Sequence, residues 1–161
     1  MIYEQSTGLL KTCDGLTVLA HCYSGAGVGK NNPDMQKVKN VGPVHVGWYT
    51  LGTPLYTGKG QNSTHGPYVI PLEPDPENDM DSRGGFLIHG DSMHAPGTAS
   101  EGCVIPLTGK VSGSVGLGGR PLREAIYTYA QTEDPPLRLQ VITGPWPVSG
   151  VGSSQGQVVP T

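Results

Sequence analysis

The chain has 161 residues, with Lys+Arg 10 against Asp+Glu 13 and three cysteines, a length that suits one domain and falls short of two ordinary ones. Gly 25 and Pro 15 fill about a quarter of it, near the low-complexity range, but the apolar content and a net charge of only -3 belong to a chain that folds. Gly costs about 1 kcal/mol and Pro about 3 kcal/mol in a helix interior, which excludes an all-helical protein; the lack of basic excess argues against a nucleic-acid partner, and no apolar window of about 18 residues offers a membrane span.

In chain order, Ile2-Tyr3 with Leu9-Leu10, and then Leu16 to Tyr23, read as a pair of strands joined by Asp14-Gly15, a dipeptide that readily takes hairpin dihedrals. From Gly25 to Gly42 the composition turns to Gly, Asn and Lys, a loop long enough to be functional. Val44 to Leu51 alternates, with Val44, Val46 and Trp48 on the face expected to be buried. Gly66 to Leu72 reads as another strand, and the acidic, Pro-rich Glu73 to Asp79 as an exposed loop. Phe86 to His89 and Cys103 to Ile105 are strand-type runs separated by the polar segment from Gly90 to Gly102. Pro121 to Gln131 is the one expected helix, with Leu122, Ala125, Ile126, Tyr129 and Ala130 on one face, and Pro135-Pro136 stop it. Leu137 to Thr143 alternates as a final strand, and residues 148–161 are expected to form a disordered tail after a domain of residues 1–147.

The chain starts without the basic segment and apolar run of a secretory signal, so synthesis in the cytoplasm is expected. An odd cysteine count leaves at least one free thiol. Cys13 and Cys22 flank the expected hairpin and could pair in an oxidising space, or stand as two partly buried thiols.

The segment from Phe86 to Ile105 carries the chemistry. His89 ends one apolar strand, Gly90 follows it, and Ser100-Glu101-Gly102-Cys103 opens the next. A cysteine at a strand end is a nucleophile when a neighbouring imidazole takes its proton, and His89 is the natural base for Cys103. Gly102 would let backbone amides approach the oxyanion of a tetrahedral intermediate, and the intervening loop, with Asp91 and His94, would form a substrate-binding rim. The alternatives are a small core cysteine with a structural histidine, or a zinc site of His89, His94 and Cys103, although no Cys-x-x-Cys or His-Glu-x-x-His is present. His21, His45 and His65 are read as structural.

Ile88-His89-Gly90 followed by Ser100-Glu101-Gly102-Cys103-Val104 resembles the active-site signature of L,D-transpeptidases of the YkuD type. Tyr3 to Gly8, Tyr23 to Asn32, Gly42 to Tyr49 and Gly66 to Tyr68 look like the small branch of that superfamily delivered by type VI secretion as antibacterial effectors. The resemblance implies a mainly β, L,D-transpeptidase-like β-sandwich with one short helix and long active-site loops. It implies Cys103 as nucleophile, His89 as general base, the Gly90 carbonyl orienting the imidazole, and Ser100 and Gly102 shaping the nucleophile turn. Glu101 stands where the family has a second histidine, and Val104 to Leu107 lack the Asn or Arg usual after the cysteine. Arg83, upstream of the His strand, is a candidate to hold a substrate carboxylate. The implied activity is acyl transfer on peptidoglycan stem tetrapeptides, as L,D-carboxypeptidase or by D-amino-acid exchange, with no cofactor; the alternative is a non-catalytic cell-wall-binding domain of the same fold. The expected partners are a secretion apparatus component and a periplasmic immunity protein, with action in the periplasm of a target cell.

Overall fold

The computed structural model describes residues 1–56, 67–111 and 114–145, the side chains of 114–117 aside. Its elements are β1 (Ile2–Glu4), β2 (Leu9–Lys11), β3 (Val18–Ser24), β4 (Gly47–Leu51), β5 (Ile70–Pro74), β6 (Leu87–Ile88), β7 (Val104–Val111), β8 (Ser114–Leu117), α1 (Arg120–Ala130) and β9 (Arg138–Ile142), with two 3-10 turns, Gly27–Gly29 and Pro33–Met35, in the loop after β3. The expected tail and His65 lie outside the described residues.

The β2–β3 hairpin forms where Asp14-Gly15 placed it. Gly15 takes φ +76°, and Asp14 Oδ1 accepts from Thr12 Oγ1 at 2.6 Å and from the Leu16 amide at 2.9 Å, so the aspartate closes its own turn.

The strands do not form a sandwich. Pairing runs β3-β2-β1-β9-β4-β5-β6-β7, and β7 returns to β3, which closes eight strands into a barrel; β8 is added to β7 outside the ring. Two stacked sheets would leave four edges, and closure removes them. The residues that close the ring are those the apolar pattern missed. β7 continues past Ile105 to Val111, and its pairs Cys22↔Pro106, His21↔Thr108 and Ala20↔Gly109 join it to β3.

Side chains fill the interior, as in other small barrels. Tyr3, Leu10, Ala20, Cys22, Tyr49, Leu51, Ile70, Leu72, Ile88, Val104, Leu139 and Val141 share one apolar cluster with Leu122, Ile126 and Ala130 of α1. Each large apolar side chain so buried contributes about 1.5–3 kcal/mol. Buried Arg123 of the same helix donates from Nε to Tyr68 O at 2.9 Å and from Nη2 to Pro67 O at 3.0 Å, anchoring the entry to β5.

Two expected faces differ. In β4 the buried residues are Tyr49 and Leu51, while Trp48 is 38% exposed under the Arg138 guanidinium. Gly47 is the reason: it takes φ +139°, where a Cβ would overlap the Asn78 side chain, and it reverses the parity carried down from buried Val44. In β9 the four residues from Leu139 to Ile142 are all buried, without the expected alternation. The disulfide weighed between Cys13 and Cys22 is not formed; Cys13 is exposed on the hairpin turn and Cys22 is buried in the barrel.

Candidate active site

β6 and β7 run parallel, with Ile88 paired to Val104 and the His89 amide donating to Val104 O at 3.2 Å. Ile88 and Val104 belong to the barrel interior. Their chain neighbours His89 and Cys103 therefore alternate to the outer wall, where both line a cleft of about 490 Å³. Lys39, Asn40, Arg83, Phe86, Thr98 and Glu101 also line it.

His89 is buried, and its Nδ1 lies 2.8 Å from Gly90 O. A carbonyl only accepts, so Nδ1 carries the proton and Nε2 is the basic nitrogen. Cys103 is half-buried, and the Leu87 amide donates to its Sγ at 3.3 Å. Burial pushes the thiol up to about 11; the Leu87 amide and the Arg83 charge pull against that, and the Glu101 carboxylate adds to it. Burial thus favours the thiol over the thiolate. Attack then requires a base to take the proton as the new bond forms.

Hydroxyl groups hold the turn before Cys103. Ser100 Oγ accepts from the Gly25 amide at 2.8 Å and the Gly102 amide at 3.0 Å, and donates to Cys103 O at 2.6 Å. Ser24, at the end of β3, accepts from the Val44 amide at 2.8 Å and donates to Gly102 O at 3.0 Å. Gly102 takes φ +142°, and a Cβ there would meet Arg83 Nη2 at 2.5 Å and Phe86 Cε1 at 2.7 Å. Glycine is required at this position by packing and by dihedral.

The structure uses Arg83 differently from the carboxylate anchor expected of it. The side chain is 7% exposed. Nη1 donates to Gln36 O at 2.6 Å and Pro43 O at 2.7 Å, and Nη2 donates to Gly42 O at 3.0 Å and Glu101 O at 3.1 Å. The guanidinium thus ties the loop from Gln36 to Pro43 to the nucleophile turn, and it lies against the Phe86 ring at 5.0 Å.

Asp91 is likewise engaged within the protein. Oδ1 accepts from Tyr23 Oη at 2.6 Å and the Ser92 amide at 2.8 Å, and the Gly97 amide reaches Oδ2 at 3.0 Å. Tyr23 Oη in turn accepts from the Ala99 amide at 2.8 Å, so the pair organises the loop between His89 and Cys103. His94 is exposed on that loop, apart from the residues lining the cleft. It does not join His89 and Cys103 as a zinc ligand, and no three His, Cys, Asp or Glu side chains among the described residues are grouped to hold a metal ion.

Sequence reasoning missed Ser24, Tyr23, Lys39 and Phe86. The Ser24-Gly25 break at the end of an apolar run signals the first, and Phe86 is the chain's one phenylalanine. His45, read as structural, is buried and pairs through Nε2 with Asp81 Oδ2 at 2.5 Å, two residues before Arg83.

The fold and cleft define a closed β-barrel with a histidine just past the end of one strand and a cysteine just before its parallel neighbour, both lining one cleft. Residues 19–110 match the model of the Tlde1 domain, more than half of the chain. The protein belongs to the Tlde1 domain family, a family of type VI secretion effectors that act on peptidoglycan. No curated protein and no solved structure matches the chain. Among the described residues no helix is long and apolar enough to cross a membrane.

Proposed function

We propose that the protein is a cysteine acyltransferase of peptidoglycan stem tetrapeptides, working as an L,D-carboxypeptidase, an exchanger of D-amino acids, or both. The observation that carries this reading is the placement of His89 and Cys103 in one cleft by the parallel β6–β7 pair, with the Nδ1 proton held by Gly90 O.

The Cys103 sulfur attacks the carbonyl between the L-centre and the terminal D-residue, and the thiol proton passes to His89 Nε2. The Cys103 amide donates to the oxyanion. As the tetrahedral intermediate collapses, the C–N bond breaks, His89 returns the proton to the departing amine, and the acyl group remains on sulfur as a thioester. Water or a free D-amino acid then attacks the thioester, giving its proton to His89, and the thiol is regenerated. Ser100, Gly102 and Arg83 position the nucleophile turn in this scheme. Stripping or exchanging the terminal D-residue alters the stem peptides on which cross-linking draws, which suits an antibacterial toxin acting in the periplasm of the target cell. A periplasmic immunity protein would guard the producer.

Purified tetrapeptide muropeptides incubated with the protein should lose the terminal D-residue, or exchange it for an added D-amino acid, as read by mass. Cys103→Ala should produce neither change; identical products from the two proteins would refute the reading.

A further inference from the structure

Two cations other than histidine line the cleft among the described residues, Arg83 and Lys39. Four hydrogen bonds to carbonyl oxygens occupy both terminal nitrogens of Arg83, so its charge is committed to the protein. Lys39 is exposed and makes no hydrogen bond or ion pair with the described residues. Its backbone is nonetheless fixed. The Val38 amide donates to Met35 O and the Gly42 amide to Val38 O, both at 2.9 Å, and Asn40 takes the left-handed φ of 64° that turns the chain back toward Gly42. The Arg83 guanidinium grips this turn through Gln36 O and Gly42 O and, through Glu101 O, the turn that carries Cys103. One rigid group therefore sets the spacing between Lys39 and the nucleophile.

We infer that Lys39 is the specificity-determining residue that reads the free carboxylate of the donor peptide's terminal D-residue; this rests on the acyl-transfer reading above. That carboxylate lies one residue beyond the scissile carbonyl, a span of about 3.6 Å along the chain, and Lys39 lines the same cleft as Cys103. Glu101 supplies the opposite sign on the nucleophile turn, so a carboxylate entering beside it is turned toward the Lys39 wall. Such a contact is made equally to the bound substrate and to the transition state, and its loss raises KM while leaving kcat in place.

The test compares a stem tetrapeptide ending in a free D-alanine carboxylate with the same peptide ending in a carboxamide. The wild-type protein should prefer the acid by about fivefold to tenfold in kcat/KM. Lys39→Met should erase that preference by raising KM for the acid alone, and Lys39→Arg should keep most of it. If Lys39→Met retains the wild-type preference, or the wild type cleaves both peptides equally, the assignment of Lys39 is overturned while the acyl-transfer reading stands. If the wild type cleaves neither peptide nor any tetrapeptide muropeptide, both fall together.

Discussion

Ile88 and Val104 face the barrel interior, while His89, just past the end of β6, and Cys103, just before the start of β7, line the cleft. The two sides are built by different means. Inside, ladder hydrogen bonds join the strands, and apolar side chains from all parts of the chain fill the space. Outside, the loops have few ladder partners, and polar side chains bond directly to their backbone: Arg83 to four carbonyls, Ser24 and Ser100 to the nucleophile turn, and Tyr23 with Asp91 to the loop from Gly90 to Ser100. The interior should therefore govern stability and the outer network should govern reactivity.

The sharpest separation comes from the helix. Ile126→Ala empties a fully buried site shared by α1 and the barrel, and should cost about 3 kcal/mol in chemical denaturation while leaving turnover per folded molecule unchanged. Arg83→Met should behave in the opposite way. It leaves the carbonyls of Gln36, Gly42, Pro43 and Glu101 without their donor, costs about 2 kcal/mol, and should lower D-residue release by more than the lost folded fraction explains. Tyr23→Phe removes the hydroxyl between Asp91 and Ala99 for about 1 kcal/mol, and amide exchange should speed up in residues 91–99 while the barrel strands stay protected. The smallest effect is electrostatic. With the Cys103 thiol near 11, alkylation should climb about tenfold per pH unit through pH 8 to 10 without a plateau. Because the Glu101 carboxylate disfavours the thiolate, Glu101→Gln should shift that profile down, by less than about one unit, and raise the rate at pH 8. An Ile126→Ala protein that folds normally but loses turnover would break the division between the two regions.

Features set by neighbouring residues were legible in the sequence. Asp14-Gly15 closes its hairpin through its own side chain, and the helix follows from the spacing of Leu122, Ile126 and Ala130. His89 and Cys103 stood out because each sits at the end of an apolar run beside a glycine. Barrel closure was hidden, since Leu107 to Lys110 carry no apolar period and are held as strand by pairing with residues far back in the chain. Gly47 inverted β4 through a dihedral that no side-chain pattern records. The work of Arg83 depends on carbonyls from Gln36, Gly42, Pro43 and Glu101 that only the fold assembles.

The position of β9 bears on when the molecule comes into being. This strand lies between β1, the first in the chain, and β4, with Tyr3 beside Val141 and Gly47 opposite it. A growing chain carries Cys103 well before it carries β9, and until Arg138 to Ile142 arrive β1 and β4 are left as two unpaired edges. Joining the two ends of the sequence across that gap is the most non-local step in the topology, and folding should fall in the slow, millisecond-to-second class of barrels rich in distant contacts. Maturation of the cleft is thereby tied to the arrival of β9.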